Sequence, residues 1–141
     1  MKKTTRDLVY TLATDVRYWA EGKAGKHNQE LCGWCAKASA ELWRRLHAHN
    51  PRMSIKICLA SNEWMSHVFL QIEDHIVDVT ASQFGEFRGV PVVIEHEREL
   101  QHVEYFQVED IFLNPNELIA YQKKTRWPPD QIAYNMPGTI R

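Results

Sequence analysis

Four residues of this chain have the types and the order that thioacyl chemistry uses: Gln29, Cys35, His67 and Asp78. Cys35 is a soft nucleophile, and His67 is a base that titrates near neutrality. Asp78 is a carboxylate able to fix one tautomer of that base, and Gln29 is a side-chain amide able to stabilise an oxyanion. Each also has an ordinary structural use: a small buried thiol, a hydrogen-bonded strand histidine, a strand-end carboxylate, an exposed amide. Their combination is what points to attack of a thiolate on a carbonyl carbon.

A cysteine thiol, with a reference pKa of about 8.5, is mostly protonated at neutral pH. A helix N-terminus and an imidazolium stabilise its thiolate. From Gly33 onward, Cys35, Ala38, Leu42 and Leu46 fall on one helical stripe, Lys37, Glu41, Arg44 and Arg45 lie off it, and Asn50-Pro51 ends the run. This predicts Cys35 in the first turn of a helix, where unsatisfied amides and the positive end of the macrodipole face its sulfur. An oxyanion formed there has the Cys35 amide as one donor and the Gln29 side chain, just upstream, as the second.

Period-two geometry gives the base its orienter. His67, Phe69 and Gln71 share one strand face, and Ile76, Asp78 and Thr80 share one face of the next strand. If Glu73-Asp74 is a two-residue hairpin loop, Phe69 lies opposite Asp78 and both sets share a face. His67 is then diagonal to Asp78, with backbones roughly 7 Å apart, within reach of the two side chains. A three-residue loop would put them on opposite faces.

The elements that must carry these residues read as α+β. Leu8, Leu12, Val16 and Trp19 predict an amphipathic helix over residues 5–20, capped by Thr4 or Thr5, with a polar, solvent-facing loop over 21–28. After the Cys35 helix, residues 53–59, 64–72, 76–80, 90–95 and 103–108 read as strands of an antiparallel sheet of about four or five. Residues 84–89 read as a loop. Asn114-Pro115-Asn116-Glu117 predicts a capped helix to about Lys124. The chain therefore divides into one domain, 1–125, and a proline-containing tail, 126–141, that either wraps the domain or stays loose. Substrate choice is expected to lie in the loops 21–28 and 84–89.

Composition narrows the partners. At 141 residues with 44% hydrophobic content and five tryptophans, the chain can fill one core without staples. Seventeen basic residues against eighteen acidic ones, with a pI of about 6.6, give no global field that would favour nucleic acid or anionic lipid. Asp7, Asp15 and Arg17 interrupt any apolar segment after Met1-Lys2-Lys3. No long apolar run follows, and mean hydropathy is −0.46. The expectation is a cytoplasmic protein without a membrane span, whose three cysteines stay reduced.

Gln29-x-x-Cys32-Gly33-x-Cys35 followed by His67 and Asp78 resembles the papain-like cysteine hydrolase superfamily. The block from His67 to Ile72, then Ile76 to Thr80 with Gln83-Phe84, resembles its transglutaminase-like branch. The resemblance spans residues 29–84. It implies an α+β fold with a Cys-bearing helix packed on an antiparallel sheet, Cys35 as nucleophile, His67 as base, Asp78 as orienter and Gln29 as oxyanion donor. It further implies hydrolysis or deamidation of an amide or isopeptide bond, or acyl transfer, on a peptide or protein substrate, with no cofactor. In the resembling proteases the cysteine matching Cys32 is disulfide-bonded. Here the remaining partner is Cys58 on an apolar strand, so both are expected as thiols.

Three rival uses of the same residues exist. Cys32-Gly33-Trp34-Cys35 also resembles the redox motif of thioredoxin-like oxidoreductases, which needs a buried strand immediately upstream, where this chain is polar. A metal site using Cys32, Cys35, His47 and His49 lacks a second close ligand pair. A binding module without catalysis would use the tail aromatics Trp127 and Tyr134.

Overall fold

A computed structural model describes residues 1–99 and 107–136 of the protein. It is an α+β fold: three helices, among the described residues, and a five-stranded antiparallel sheet. Helix α1, Lys3–Ala24, buries Val9, Ala13, Val16 and Ala20, which recur at helical spacing, with Leu12 and Trp19 at the margin. It outruns the expected 5–20 at both ends. Thr4 and Thr5 lie inside the helix and Lys2 stands at the N-cap without a side-chain bond, while Met1 packs on the core. At the other end the ion pair Arg17–Glu21 carries the helix past Gly22 to Gly25, which closes it at φ 85° by donating to the Glu21 carbonyl.

Helix α2, Cys35–His49, begins at the residue expected. Its buried face is mostly small: Cys35, Ala36, Ala38, Ser39 and Ala40. That composition lets the helix backbone approach the sheet closely, and the Ser39 hydroxyl donates to the Val68 carbonyl at 3.1 Å.

The strands are β1 (Ile55–Ser61), β2 (Ser66–Ile72), β3 (His75–Asp78), β4 (Val93–His96) and β5 (Gln107–Phe112), in the order β4-β3-β2-β1-β5. Several start later than the sequence pattern suggests, for local reasons. Trp64 and Met65 are held out of β2 because the Asn62 carboxamide oxygen accepts both their N–H groups. The Asp78 carboxylate accepts the Thr80 N–H and ends β3. Pro91 has no N–H to give a ladder, and β4 begins at Val93. The expected strand 103–108 lies largely outside the described residues; β5 is described from Gln107 onward and pairs with β1 across a bulge at Leu59/Ala60.

Alternation along the sheet makes two cores. Ile57, Leu59, Val68, Leu70, Ile72 and Val77 pack with the helices, whereas Cys58, Ala60, Phe69, Ile76 and Val93 form a second cluster that Phe84 and Phe87 cover. Helix α3, Pro115–Lys124, has the capped start read from sequence: the Asn114 side chain accepts the Glu117 N–H at 3.0 Å, and the Glu117 carboxylate accepts the Leu113 N–H. After it the chain runs through a short 3-10 turn, Pro129–Gln131, and buries Ile132 and Ala133. The tail therefore wraps the domain as far as it is described.

Candidate active site

Cys35 owes its position to a loop with two residues at positive φ, Leu31 (63°) and Gly33 (80°). The Leu31 side chain is fully buried, which offsets the backbone strain of that conformation. Asn28 brackets the next residue, accepting the Cys32 N–H at 3.0 Å and donating to the Cys32 carbonyl at 2.9 Å. Trp34, the N-cap of α2, packs edge-on against Trp19 of α1 at 6.0 Å and carries the Lys37 ammonium over its ring. No side chain caps this helix end and its first turn holds no acid. The dipole's positive end is therefore left to whatever anion the Cys35 region presents. Cys35 itself is 8% exposed, and Cys32 faces solvent.

The hairpin loop between β2 and β3 has two residues, with Leu70 opposite Val77, Gln71 opposite Ile76 and Ile72 opposite His75. Glu73 takes φ 55°, the sign a primed hairpin turn asks of its first central residue. This register brings His67 Nε2 to 2.6 Å from Asp78 Oδ2, both side chains buried. The other Asp78 oxygen accepts the Thr80 N–H at 2.9 Å and its hydroxyl at 3.3 Å, so the carboxylate is held at both oxygens. Phe84 stands edge-on to the imidazole at 4.8 Å, and Phe69 tilts against it at 5.9 Å. The Cys35 thiol adds to the interactions that favour the charged ring of His67. With Nε2 on Asp78, Nδ1 is the ring nitrogen placed to serve the thiol.

Burial alone would lower the His67 pKa, but the Asp78 charge and hydrogen bond, reinforced by Cys35, outweigh it and raise it to about 10. The ring is thus held as an imidazolium through neutral pH, the form that favours a thiolate beside it. Cys58 shows the opposite environment: burial among apolar neighbours pushes its thiol up to about 11.

Gln29 is placed elsewhere. Its side-chain amide donates to the Gly25 carbonyl at 2.7 Å and the Glu21 carbonyl at 3.3 Å, closing the end of α1. The expected oxyanion donor is therefore turned away from Cys35. The cause is the longer α1, which brings the Glu21 and Gly25 carbonyls at its end within reach of this amide. The Gln29 backbone carbonyl accepts instead from Arg17, a residue the sequence pattern did not single out. Arg17 is 4% exposed and also donates to the Val79 carbonyl at 2.9 Å and the Ser82 hydroxyl at 2.7 Å. One guanidinium thus ties the chain after Asp78 to the loop before Cys35. Its signal in the sequence is slight: Arg17 stands beside Val16 at the edge of the buried stripe.

Cys35 opens onto a cleft of about 510 Å³. Its walls are the Cys32-Gly33 segment, Met65 and Ser66 after the β1–β2 turn, Gln83, and the C-terminal segment from Thr125 to Pro128 with Gln131. The size suits a side chain or short peptide. Neither loop 21–28 nor loop 84–89, where substrate choice was expected, lines it; the tail does. No strand precedes Cys32; α1 and the loop after it lead into the motif.

Among the described residues no group of three or more His, Cys, Asp or Glu side chains is placed to hold a metal ion. No helix among them is long and apolar enough to cross a membrane. Neither a family model, nor a curated protein, nor a solved structure matches this chain.

Proposed function

We propose that this protein is a cysteine-dependent acyl enzyme, similar in its chemistry to papain-like and transglutaminase-like hydrolases, acting on an amide or isopeptide bond of a peptide or protein. The observation that carries the reading is the buried His67, bonded at 2.6 Å to Asp78, with the Cys35 thiol at the helix start acting on the same ring electrostatically. A structural histidine does not need a thiol at a helix start that opens onto a cleft. The Cys35 thiolate attacks the substrate carbonyl carbon, a C–S bond forms, and the carbonyl electron pair moves to oxygen. Collapse breaks the C–N bond as His67 hands its proton to the leaving nitrogen. Water, deprotonated by His67, then attacks the thioester and releases Cys35 and a carboxylic acid. Asp78 holds the ring in one orientation throughout. Transfer to an amine in place of water follows the same path.

Mass spectrometry after incubation with a panel of acyl-electrophile probes tests this in a Cys32→Ser background, which removes the exposed thiol. Labelling should fall on Cys35, vanish in Cys35→Ala and drop strongly in His67→Ala. Equal labelling of all three forms would overturn the proposal. Loss of the activity with Cys32→Ser alone would point instead to thiol–disulfide exchange.

A further inference from the structure

With Gln29 committed to the end of α1, the acyl chemistry proposed above lacks its side-chain oxyanion donor, and another amide occupies the neighbourhood. Gln131, in the short turn after α3, lies against Gly33: a Cβ built on that glycine would meet the Gln131 Nε2 at 3.4 Å and its Cγ and Cδ at 3.7 Å. Gly33 precedes Cys35 by two residues, holds φ 80°, and lines the same cleft as Cys35 and Gln131. A side chain at Gly33 would therefore touch this amide and strain the backbone.

Gln131 is held there by a buried device. Gln122 of α3 is fully buried; its Nε2 donates to the Gln131 carbonyl at 3.1 Å, and its Oε1 accepts the Ala133 N–H at 2.8 Å. Arg44 of the Cys helix donates to the Ala133 carbonyl at 2.8 Å. The segment 131–133 is thus fixed to both α3 and α2, with Ile132 and Ala133 buried on either side of those bonds. Among the described residues the Gln131 side-chain amide makes no hydrogen bond of its own, unlike those of Gln29, Gln71, Gln83 and Gln122. A buried clamp that positions an uncommitted donor beside a nucleophile's helix start is the arrangement that transition-state stabilisation requires.

We infer that Gln131, supplied by the C-terminal segment, is the side-chain oxyanion donor of this site, acting with the Cys35 backbone amide. When the thiolate adds to a carbonyl, the electron pair that moves to oxygen is received by the Gln131 Nε2–H. It is released again when the C–O or C–N bond of the leaving group breaks. The inference rests on Cys35 being the nucleophile, and its test separates the two.

p-Nitrophenyl acetate acylates a thiolate through a tetrahedral oxyanion and releases p-nitrophenolate, whereas iodoacetamide alkylates it by direct displacement with no oxyanion. Both rates are measured in the Cys32→Ser background. Gln131→Ala should lower the acylation rate by about 100-fold, the usual effect of losing one such donor, and leave alkylation unchanged. Gln131→Met, which keeps length and volume without an amide, should do the same with unchanged circular dichroism. Gln29→Ala should alter neither rate. Undiminished acylation in both Gln131 variants, an equal fall of both rates, or a selective loss in Gln29→Ala would each overturn the assignment. Failure of the underlying reading looks different: p-nitrophenolate release would then persist in Cys35→Ala.

Discussion

His67 Nε2 lies 2.6 Å from Asp78 Oδ2 with the two side chains 1% and 0% exposed, so the pair is buried on the second face of the sheet. Taking an imidazolium and a carboxylate out of water is costly unless each is bonded; here they bond each other, Thr80 holds the second Asp78 oxygen, and Cys35 further favours the charged ring. The buried pair therefore has consequences for stability.

Its pH dependence has a definite sign. The folded pKa of His67, about 10, lies above the reference value for an unfolded chain, about 6.5. The native state binds the extra proton between these values, so stability falls as pH rises through that window. The contribution of the pair is complete below about pH 6.5 and gone above about pH 10. Urea unfolding of the wild type should shift to lower midpoints across the window, and in Asp78→Asn this slope should flatten. Asp78→Ala, which leaves the imidazole buried without its carboxylate, should cost about 3–5 kcal/mol at neutral pH. A wild-type midpoint no more pH-sensitive than that of Asp78→Asn would show that the pair is not charged in the folded protein.

Arg17 makes the second stability prediction. It serves three acceptors in different segments, the Gln29 and Val79 carbonyls and the Ser82 hydroxyl, besides pairing with Glu21. Arg17→Met keeps the stem and removes every donor, so these groups lose their common partner. We expect a loss of about 2–4 kcal/mol by urea unfolding, the scale for leaving more than one buried acceptor without its donor. Gln29→Ala removes only the two surface bonds to the end of α1 and should cost about 1 kcal/mol or less. Comparable losses in the two variants would mean that Arg17 does not join the Cys35 and Asp78 segments energetically.

The contrast between these residues explains which parts of the site could be read in advance. His67 and Asp78 were legible because a two-residue loop and strict alternation fix which side chains share a face, and both features are local. The Asn114-Pro115-Asn116-Glu117 cap was legible for the same reason, and so was the start of α2 at Cys35. Gln29 was misplaced because its fate depends on where α1 stops, and one extra helical turn brought carbonyls within its reach. Thr4 and Thr5 failed as caps because Met1 packs on the core and draws the helix start toward it. Arg17, Gln122 and Gln131 left little trace, since their bonds join segments up to 65 residues apart and involve backbone acceptors that carry no sequence signature. Polar clamps of this kind are set by tertiary packing, which neither periodicity nor spacing encodes.

Arg126 gives a prediction that local geometry alone decides. It is the residue after the C-cap of α3, at φ 59°, where glycine is the common occupant. The Trp127 N–H reaches the Gln122 carbonyl at 3.0 Å and the Arg126 N–H the Lys123 carbonyl at 3.2 Å, the two bonds of a Schellman turn. Arg126→Gly should relieve the left-handed strain and stabilise the fold by about 1 kcal/mol. Because Arg126 also lines the cleft, turnover of the p-nitrophenyl acetate probe should be measured alongside. A gain in stability with a fall in turnover would mark this arginine as strained for the benefit of substrate. A loss of stability would show instead that its side-chain contacts outweigh the backbone strain.

Gln122 allows the tail's role to be separated from that of the amide it positions. Gln122→Leu preserves volume in the core but removes both bonds to the segment 131–133, leaving the Ala133 N–H without its acceptor. The cost should be about 1–3 kcal/mol, the penalty for one buried unsatisfied group. Because α3 and the sheet keep their own bonds, the loosening should centre on the segment after Pro128. Chymotrypsin should then cut after Tyr134 earlier than in the wild type. If the segment exists to place Gln131, the same variant should slow acylation by p-nitrophenyl acetate while iodoacetamide alkylation of Cys35 stays fast. Early cleavage with acylation intact would make the clamp a fastening for the fold alone and separate it from the chemistry at Cys35.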